Sequence, residues 1–110
     1  MVKRRHQWRQ FDVFPNPDPD TAEDHPYLII LQSNRLSDID TCVVAPLVSS
    51  RTLKLFEKLL PEVRIDGTAY KIAVPDLGAF PPHLIPEPIA NLESERYRII
   101  SAIDLLFTGV

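Results

Sequence analysis

Cysteine and long apolar runs are scarce in this sequence of 110 residues, and each shortage excludes a class of protein. Cys42 is the single cysteine, so an internal disulfide is impossible, which fits a reducing cytoplasm. No apolar run approaches the roughly 20 residues that span a bilayer. The basic N-terminus is not followed by the apolar stretch that a signal peptide has. We therefore expect a cytoplasmic protein without a membrane segment.

Residue patterns typical of enzymes are also missing. The three glycines, at positions 67, 78 and 109, are isolated, so the sequence has no glycine-rich phosphate loop. The three histidines lie in the basic N-terminus or beside prolines, without metal-ligand spacing to one another or to Cys42. The acidic stretch 15–26 lacks the central glycine and the later glutamate of a calcium loop. The sequence thus predicts a protein that is not an enzyme and has no metal and no cofactor.

Positive charge is concentrated at the N-terminus. All four charged residues before position 10 are basic: Lys3, Arg4, Arg5 and Arg9. Residues 10–110 carry 15 acidic against 8 basic side chains, a net charge of −7. A nucleic-acid-binding protein needs a basic face to displace counterions from phosphates, and residues 10–110 offer none. We interpret 1–9 as a basic, flexible extension and 10–110 as a single domain, and we expect no direct binding to nucleic acid.

Short strands dominate the predicted secondary structure. Eleven prolines favour short strands and fixed loops over a helical bundle. Residues 10–14 alternate in polarity, while 27–31 and 42–47 are short apolar runs, so all three segments are predicted strands. Asp66-Gly67 lies between two alternating segments and predicts a tight hairpin, because both turn positions require φ > 0. We also predict one or two helical turns at 51–60 and an edge strand near 84–85.

The C-terminal segment predicts the best helix. Asn91 can cap its start, and Gly109 permits the backbone to leave it. One apolar face is formed by Ile99, Ile100, Ile103, Leu106, Phe107 and Val110. About five short antiparallel strands followed by one helix predict a mainly β fold, a small barrel capped by a C-terminal α-helix.

Several segments, in order, resemble the CcdB toxins of bacterial toxin–antitoxin modules. They are QFDVF at 10–14, QS at 32–33, APL at 45–47, LPEVRIDG at 60–67, IANL at 89–92, AIDLLF at 102–107 and the closing Gly109-Val110. Each segment alone is unspecific, but their order and separation together are specific. The resemblance covers about residues 10–110 and leaves the first nine without a counterpart.

The resemblance implies an SH3-like barrel, a homodimer, and a toxin that binds the DNA gyrase A subunit and traps gyrase on cleaved DNA. It also implies neutralisation by a cognate CcdA-like antitoxin. Gyrase-binding positions carried over from the family are Thr108, Gly109, Val110, Phe107, Asp104 and the loop residue Leu36.

Two of these positions depart from the family pattern. Thr108 stands where the best-known toxin has a tryptophan, and Asp104 stands where it has an asparagine. Threonine cannot stack on an arginine of the target as tryptophan does. Two other functions stay open: an endoribonuclease of the MazF/Kid type, and a non-toxic CcdB homologue that acts only as an interaction module. The ribonuclease needs a catalytic arginine in an early loop, whereas residues 15–26 contain no lysine or arginine.

Overall fold

The computed structural model describes residues 8–50 and 57–109, and this part is mainly β with one α-helix. Its elements are β1 (Asp12–Pro15), β2 (Tyr27–Ile30), β3 (Cys42–Ser49), β4 (Glu62–Ile65), β5 (Thr68–Ile72), β6 (Gly78–Phe80), β7 (Ala90–Asn91) and α1 (Arg96–Thr108). Neighbouring strands pair antiparallel in the order β4-β5-β3-β2-β1-β7, and β6 also pairs with β3. The sheet curls into a nearly closed barrel with the helix at its C-terminal end, which confirms the predicted fold class.

The β4–β5 hairpin follows the local signal in the sequence. Asp66 and Gly67 have φ values of 52° and 81°, as a two-residue turn of the mirror-image type requires. Ile65 pairs with Thr68 across this turn. Val63 and Ile65 are buried on the same face, as the alternation of polarity predicts.

Both faces of the central strands β1, β2 and β3 are buried. Because successive side chains of a strand point to opposite faces, adjacent apolar residues serve two separate cores. The inner core lies inside the barrel and includes Val13, Ile29, Ala45, Leu47, Ile72 and, from α1, Ile99 and Ala102. The outer core lies on the opposite face and consists of Trp8, Phe14, Leu28, Ile30, Cys42 and Val44, with Phe80 and Ile85 packed against it.

Trp8 covers part of the outer core. Of the predicted extension 1–9, only Trp8 and Arg9 belong to the described residues, and Trp8 is 6% exposed. The Arg9 N–H donates to Oδ2 of Asp12 at 2.8 Å, and the Asp12 N–H donates to the Arg9 carbonyl at 3.0 Å. This tight turn brings Trp8 against the strand that follows it.

Phe11 ties the first strand to the elements on both sides. Its N–H donates to the Ile30 carbonyl at 2.7 Å, and its carbonyl accepts from the Leu92 N–H at 2.9 Å. The ring is fully buried, and the Arg96 guanidinium lies 5.4 Å from its centroid. Phe11 has a φ of 71°, which costs a bulky residue about 1–3 kcal/mol and persists only where the surroundings hold it. The start of α1 is thereby fixed against the barrel.

The predicted strand near 84–85 is wrong. Pro82–Leu84 forms a 3₁₀ turn, and the strand in this region is β6, where Ala79 pairs with Val43. Prolines on both sides of 84–85 lack the N–H that a strand needs for pairing. The helical turns predicted at 51–60 lie largely outside the described residues.

The terminal helix begins later than predicted. Asn91 belongs to β7, and its Oδ1 accepts from the Glu93 N–H at 2.8 Å, just before the 3₁₀ turn Glu93–Glu95. The N-cap position of α1 is Glu95, so Asn91 does not cap the helix. Ile99 and Ala102 are the buried residues of the helix, and Ile100, Ile103 and Leu106 pack partly against the inner core. Phe107, which the periodicity assigned to the buried face, is 67% exposed.

Candidate functional site

The last turns of α1 bring most of the predicted gyrase-binding residues together. Asp104, Phe107 and Thr108 are all exposed there. The Thr108 hydroxyl donates to the Asp104 carbonyl at 2.7 Å, which holds these i, i+4 neighbours on one strip of the helix. Gly109 ends the helix with a φ of 74°, and its N–H donates to the Leu105 carbonyl at 3.0 Å. Val110, the remaining predicted residue of this end, lies outside the described residues.

The electrostatics of this end favour a cationic partner. The C-terminus of a helix carries a partial negative charge from its unpaired carbonyls. The last turn of α1 holds no basic residue that could compensate, and Asp104 adds a full negative charge one turn earlier. A positively charged side chain of a partner can bind here by charge-assisted hydrogen bonds.

Phe107 makes the same end apolar as well as negative. Its ring is 67% exposed, although neighbouring positions on the other side of the helix anchor α1 in the core. An exposed aromatic ring on a firmly packed element is a common centre of a protein–protein contact. The arrangement can therefore bind a surface that offers an apolar pocket beside a positive charge.

Leu36 lies on the loop between β2 and β3. It closes the 3₁₀ turn Asn34–Leu36 and is 51% exposed. Oδ1 of Asn34 accepts from the Gln10 N–H at 2.7 Å, and Oε1 of Gln10 accepts from Arg96 at 3.2 Å. This chain of contacts places the loop of Leu36 beside the first turn of α1. Thr108 lies 12 residues further along α1, a rise of about 18 Å along the helix axis at 1.5 Å per residue, so these hydrogen bonds lead to the opposite end of α1 from the other predicted residues.

A groove beside α1 was not predicted. It has a volume of about 470 Å³ and is lined on the helix side by Tyr97, Arg98, Ser101 and Leu105. Tyr97 is 84% exposed, the largest value among the exposed large apolar side chains of the described residues. Arg98 is held by the Glu95 carboxylate and donates to the Glu62 carbonyl at 2.9 Å. The position of Tyr97 off the apolar face of the helix is the one sequence signal that could have indicated this groove.

Within 8–50 and 57–109, no three His, Cys, Asp or Glu side chains are grouped so that they could hold a metal ion. Burial raises the pKa of the Cys42 thiol to about 12, so the thiol stays protonated at neutral pH and is not a nucleophile. In the same part of the chain, no helix is both long and apolar enough to cross a bilayer.

The comparison with known protein families agrees with this geometry. The family model described as CcdB protein matches residues 10–109, nearly the whole chain. The matched range includes the barrel, α1 and the exposed residues at the end of the helix. The chain therefore belongs to the CcdB family, a family of toxins of toxin–antitoxin modules that are typically gyrase poisons and not catalytic enzymes.

Proposed function

We propose that this protein is the toxin of a type II toxin–antitoxin module that binds the DNA gyrase A subunit through the C-terminal end of α1. The observation that supports the proposal most directly is the exposed Phe107 ring beside Asp104 at the negative end of a helix. In this proposal, binding alone inhibits gyrase or traps it on cleaved DNA, and no group of the toxin reacts chemically.

The packing of α1 makes its end suited to tight binding. Ile99 and Ala102 are fully buried in the inner core, and Leu106 packs against it one turn before Gly109. A rigid binding element loses little conformational entropy when its partner docks, so more of the contact energy appears as affinity. Gly109 and Val110 follow this anchored helix in the sequence, and we assign them to the contact with gyrase together with Thr108.

The two departures from the family pattern change the chemistry of the contact. An arginine of gyrase that stacks on tryptophan in the best-known toxin finds threonine at 108, whose hydroxyl already donates to the Asp104 carbonyl. The Asp104 carboxylate and the negative helix end can bind that arginine instead. The affinity then depends on charge attraction more than on stacking.

Neutralisation by a cognate CcdA-like antitoxin and a homodimeric state belong to the same proposal. Family membership supports a partnership with an antitoxin in general. An antitoxin that blocks gyrase must compete for α1 or for a surface close to it. We therefore expect the neutralised complex to leave the supercoiling activity of gyrase intact.

Removal of residues 108–110 tests the proposal. These residues follow the last buried positions of α1, so the fold and antitoxin binding should survive while inhibition of gyrase is lost. The measurement is a supercoiling assay with purified gyrase, and an RNA-cleavage assay run beside it tests the ribonuclease alternative. Leu84→Ala is the matched control, because Leu84 is 51% exposed but lies outside α1. Full inhibition without residues 108–110, or cleavage of RNA by the intact chain, would contradict the proposal.

A further inference from the structure

The buried side chain of Gln32 ties together the two ends of the loop 33–41. Gln32 is only 8% exposed. Its Nε2 donates to the Leu36 carbonyl at 3.0 Å and to the Thr41 carbonyl at 3.1 Å. Its Oε1 accepts from the Val43 N–H at 3.0 Å. A single amide thus satisfies three backbone groups, two in the loop and one in β3.

Further hydrogen bonds hold the interior of the loop. Oγ of Ser33 accepts from the Arg35 N–H at 3.1 Å, which caps the 3₁₀ turn. The Leu36 N–H donates to the Ser33 carbonyl at 3.0 Å, and the Ile39 N–H donates to the Leu36 carbonyl at 3.4 Å. The backbone carrying Leu36 and Ile39 is therefore shaped by contacts inside the protein, before any partner binds.

The same loop turns two large apolar side chains towards solvent. Leu36 is 51% exposed and Ile39 is 49% exposed. They are two of the six large apolar side chains that remain exposed in the described residues, although the loop has only nine residues. Apolar side chains exposed on a rigid surface loop are typical of a binding surface.

We propose that Gln32 is a positioning residue that holds Leu36 and Ile39 as one apolar contact for the gyrase A subunit. The inference rests on the proposed function, takes Leu36 as a further gyrase-binding position, as the family resemblance implies, and adds Ile39 to the contact. Gln32 does not touch the partner. It acts through the loop by keeping the carbonyls of Leu36 and Thr41 in place.

The expected size of the effect follows from the population of the binding-competent loop. If the loop adopts its present conformation only about a tenth of the time without the amide, the affinity for gyrase falls about tenfold. Ile39 then also contributes less to binding, because its position relative to Leu36 is no longer defined. The two substitutions are therefore expected to be non-additive.

Gln32→Leu, Ile39→Ala and the double variant test the inference. Binding to the gyrase A subunit is measured by calorimetry, and unfolding by urea gives the stability of each variant. We expect about tenfold weaker binding for Gln32→Leu, and in its background a clearly smaller effect of Ile39→Ala than in the wild type. Hydrogen exchange of the amides in 33–41 should become faster in Gln32→Leu.

Asn16→Leu is the matched control. Asn16 holds the other long loop in a similar way, because its Nδ2 donates to Thr21 Oγ1 and to the His25 carbonyl, both at 2.9 Å. Its Oδ1 also accepts from the Asp18 N–H at 3.0 Å. Loss of this side chain should lower stability and change the affinity for gyrase by less than about twofold, since a purely structural loss leaves the folded binding surface unchanged.

The outcomes separate the inference from the proposed function. If the wild type binds gyrase and Gln32→Leu or Ile39→Ala binds equally well, the inference is overturned and the proposed function stands. If the wild type does not bind the gyrase A subunit, both are overturned. Should Gln32→Leu fail to fold, the surface variant Ile39→Ser replaces it, and an unchanged affinity of that variant overturns the inference.

Discussion

Asp66 and Gly67 show what a single pair of residues can determine in this fold. Both have positive φ values, and the β4–β5 hairpin depends on their turn. An added side chain at Gly67 would meet no atom within 4 Å, so a substitution there is opposed by the backbone conformation alone. Gly67 is therefore a suitable position at which to measure the free-energy cost of a side chain at a positive φ.

Gly67→Val is predicted to lower the free energy of unfolding by about 1–3 kcal/mol, because a β-branched residue tolerates positive φ poorly. In a domain of this size the melting temperature should fall by roughly 4–8 °C for each kcal/mol. Urea and thermal unfolding followed by circular dichroism measure both quantities. Gly78→Val is the control, since Gly78 has open space around it and no positive φ. Equal stability of the two variants would show that the turn is not strained by a side chain.

At the scale of residues, a positive φ value can be predicted from the sequence in one case and not in another. The Asp66-Gly67 turn is predictable because its signal is local. Phe11 has a φ of 71° for a different reason, since its N–H and carbonyl are bonded to β2 and to the segment before α1. Contacts that are distant in sequence impose this conformation, and nothing in the neighbouring residues indicates it.

At the scale of elements, the end of α1 carries the proposed contact with gyrase. Asp104→Asn removes a negative charge from an exposed position without changing the shape of the side chain. We predict about tenfold weaker binding of the gyrase A subunit at low salt, because a charge-assisted hydrogen bond becomes a neutral one. The dependence of affinity on salt should also become flatter, since screening acts on exposed ion pairs.

Calorimetry at low and at high salt measures this change. Thr108→Trp should act in the opposite way and strengthen binding to a gyrase of the family's usual target type, because the ring can stack on an arginine. Tyr97→Phe is a suitable control, since Tyr97 lies on the same helix about 16 Å from Thr108 at 1.5 Å per residue. If Asp104→Asn leaves both the affinity and its salt dependence unchanged, the carboxylate has no part in recognition.

The outer core leads to a prediction about the free energy of unfolding. Trp8 is 6% exposed and packs over strands β1, β2 and β3. Trp8→Ala should therefore lower the free energy of unfolding by about 3–5 kcal/mol, as expected for a buried tryptophan. Unfolding by urea measures the loss, and Trp8→Phe should cost clearly less. A Trp8→Ala variant as stable as the wild type would mean that the outer core does not need this cover.

The elements that were predicted well are those with a strong local pattern. Strands β2 and β3 are apolar runs, and the hairpin and the C-terminal helix have periodic signals. In contrast, β7 has two residues and β6 has three, and both exist through their pairing with longer strands. The burial of Trp8 could not be predicted from the charged residues around it, because the outer core forms only when three strands are side by side.

At the scale of the whole molecule, we predict a homodimer. A chain of this size buries only about two thirds of its unfolded surface on folding, so a second interface adds considerably to its stability. Large apolar side chains outside the proposed gyrase contact, including Tyr97 and Ile89, remain exposed in the described residues and are available for such an interface. Light scattering at micromolar concentration should give twice the chain mass of 12.5 kDa. A monomer mass at this concentration would contradict the prediction.

The candidate site could be predicted only in part, because its arrangement is a property of the whole fold. The predicted group at the end of α1 includes Asp104, Phe107, Thr108 and Gly109, and these four lie in the last turns of the helix or directly after it. Leu36 was predicted as part of the same group, but the hydrogen bonds of its loop run from Asn34 through Gln10 to Arg96, at the start of α1. The burial of the Gln32 side chain could not be predicted either, since most glutamines are exposed and nothing in the sequence marks this one.

The pairing of β1 with β7 has a consequence for how the protein is made. The Phe11 carbonyl accepts from the Leu92 N–H, and Val13 pairs with Ala90. Ile99 and Ala102 then complete the inner core. During translation, β1 can pair with β2 early, but its pairing with β7 and the inner core are complete only after residues 90–102 have been synthesised.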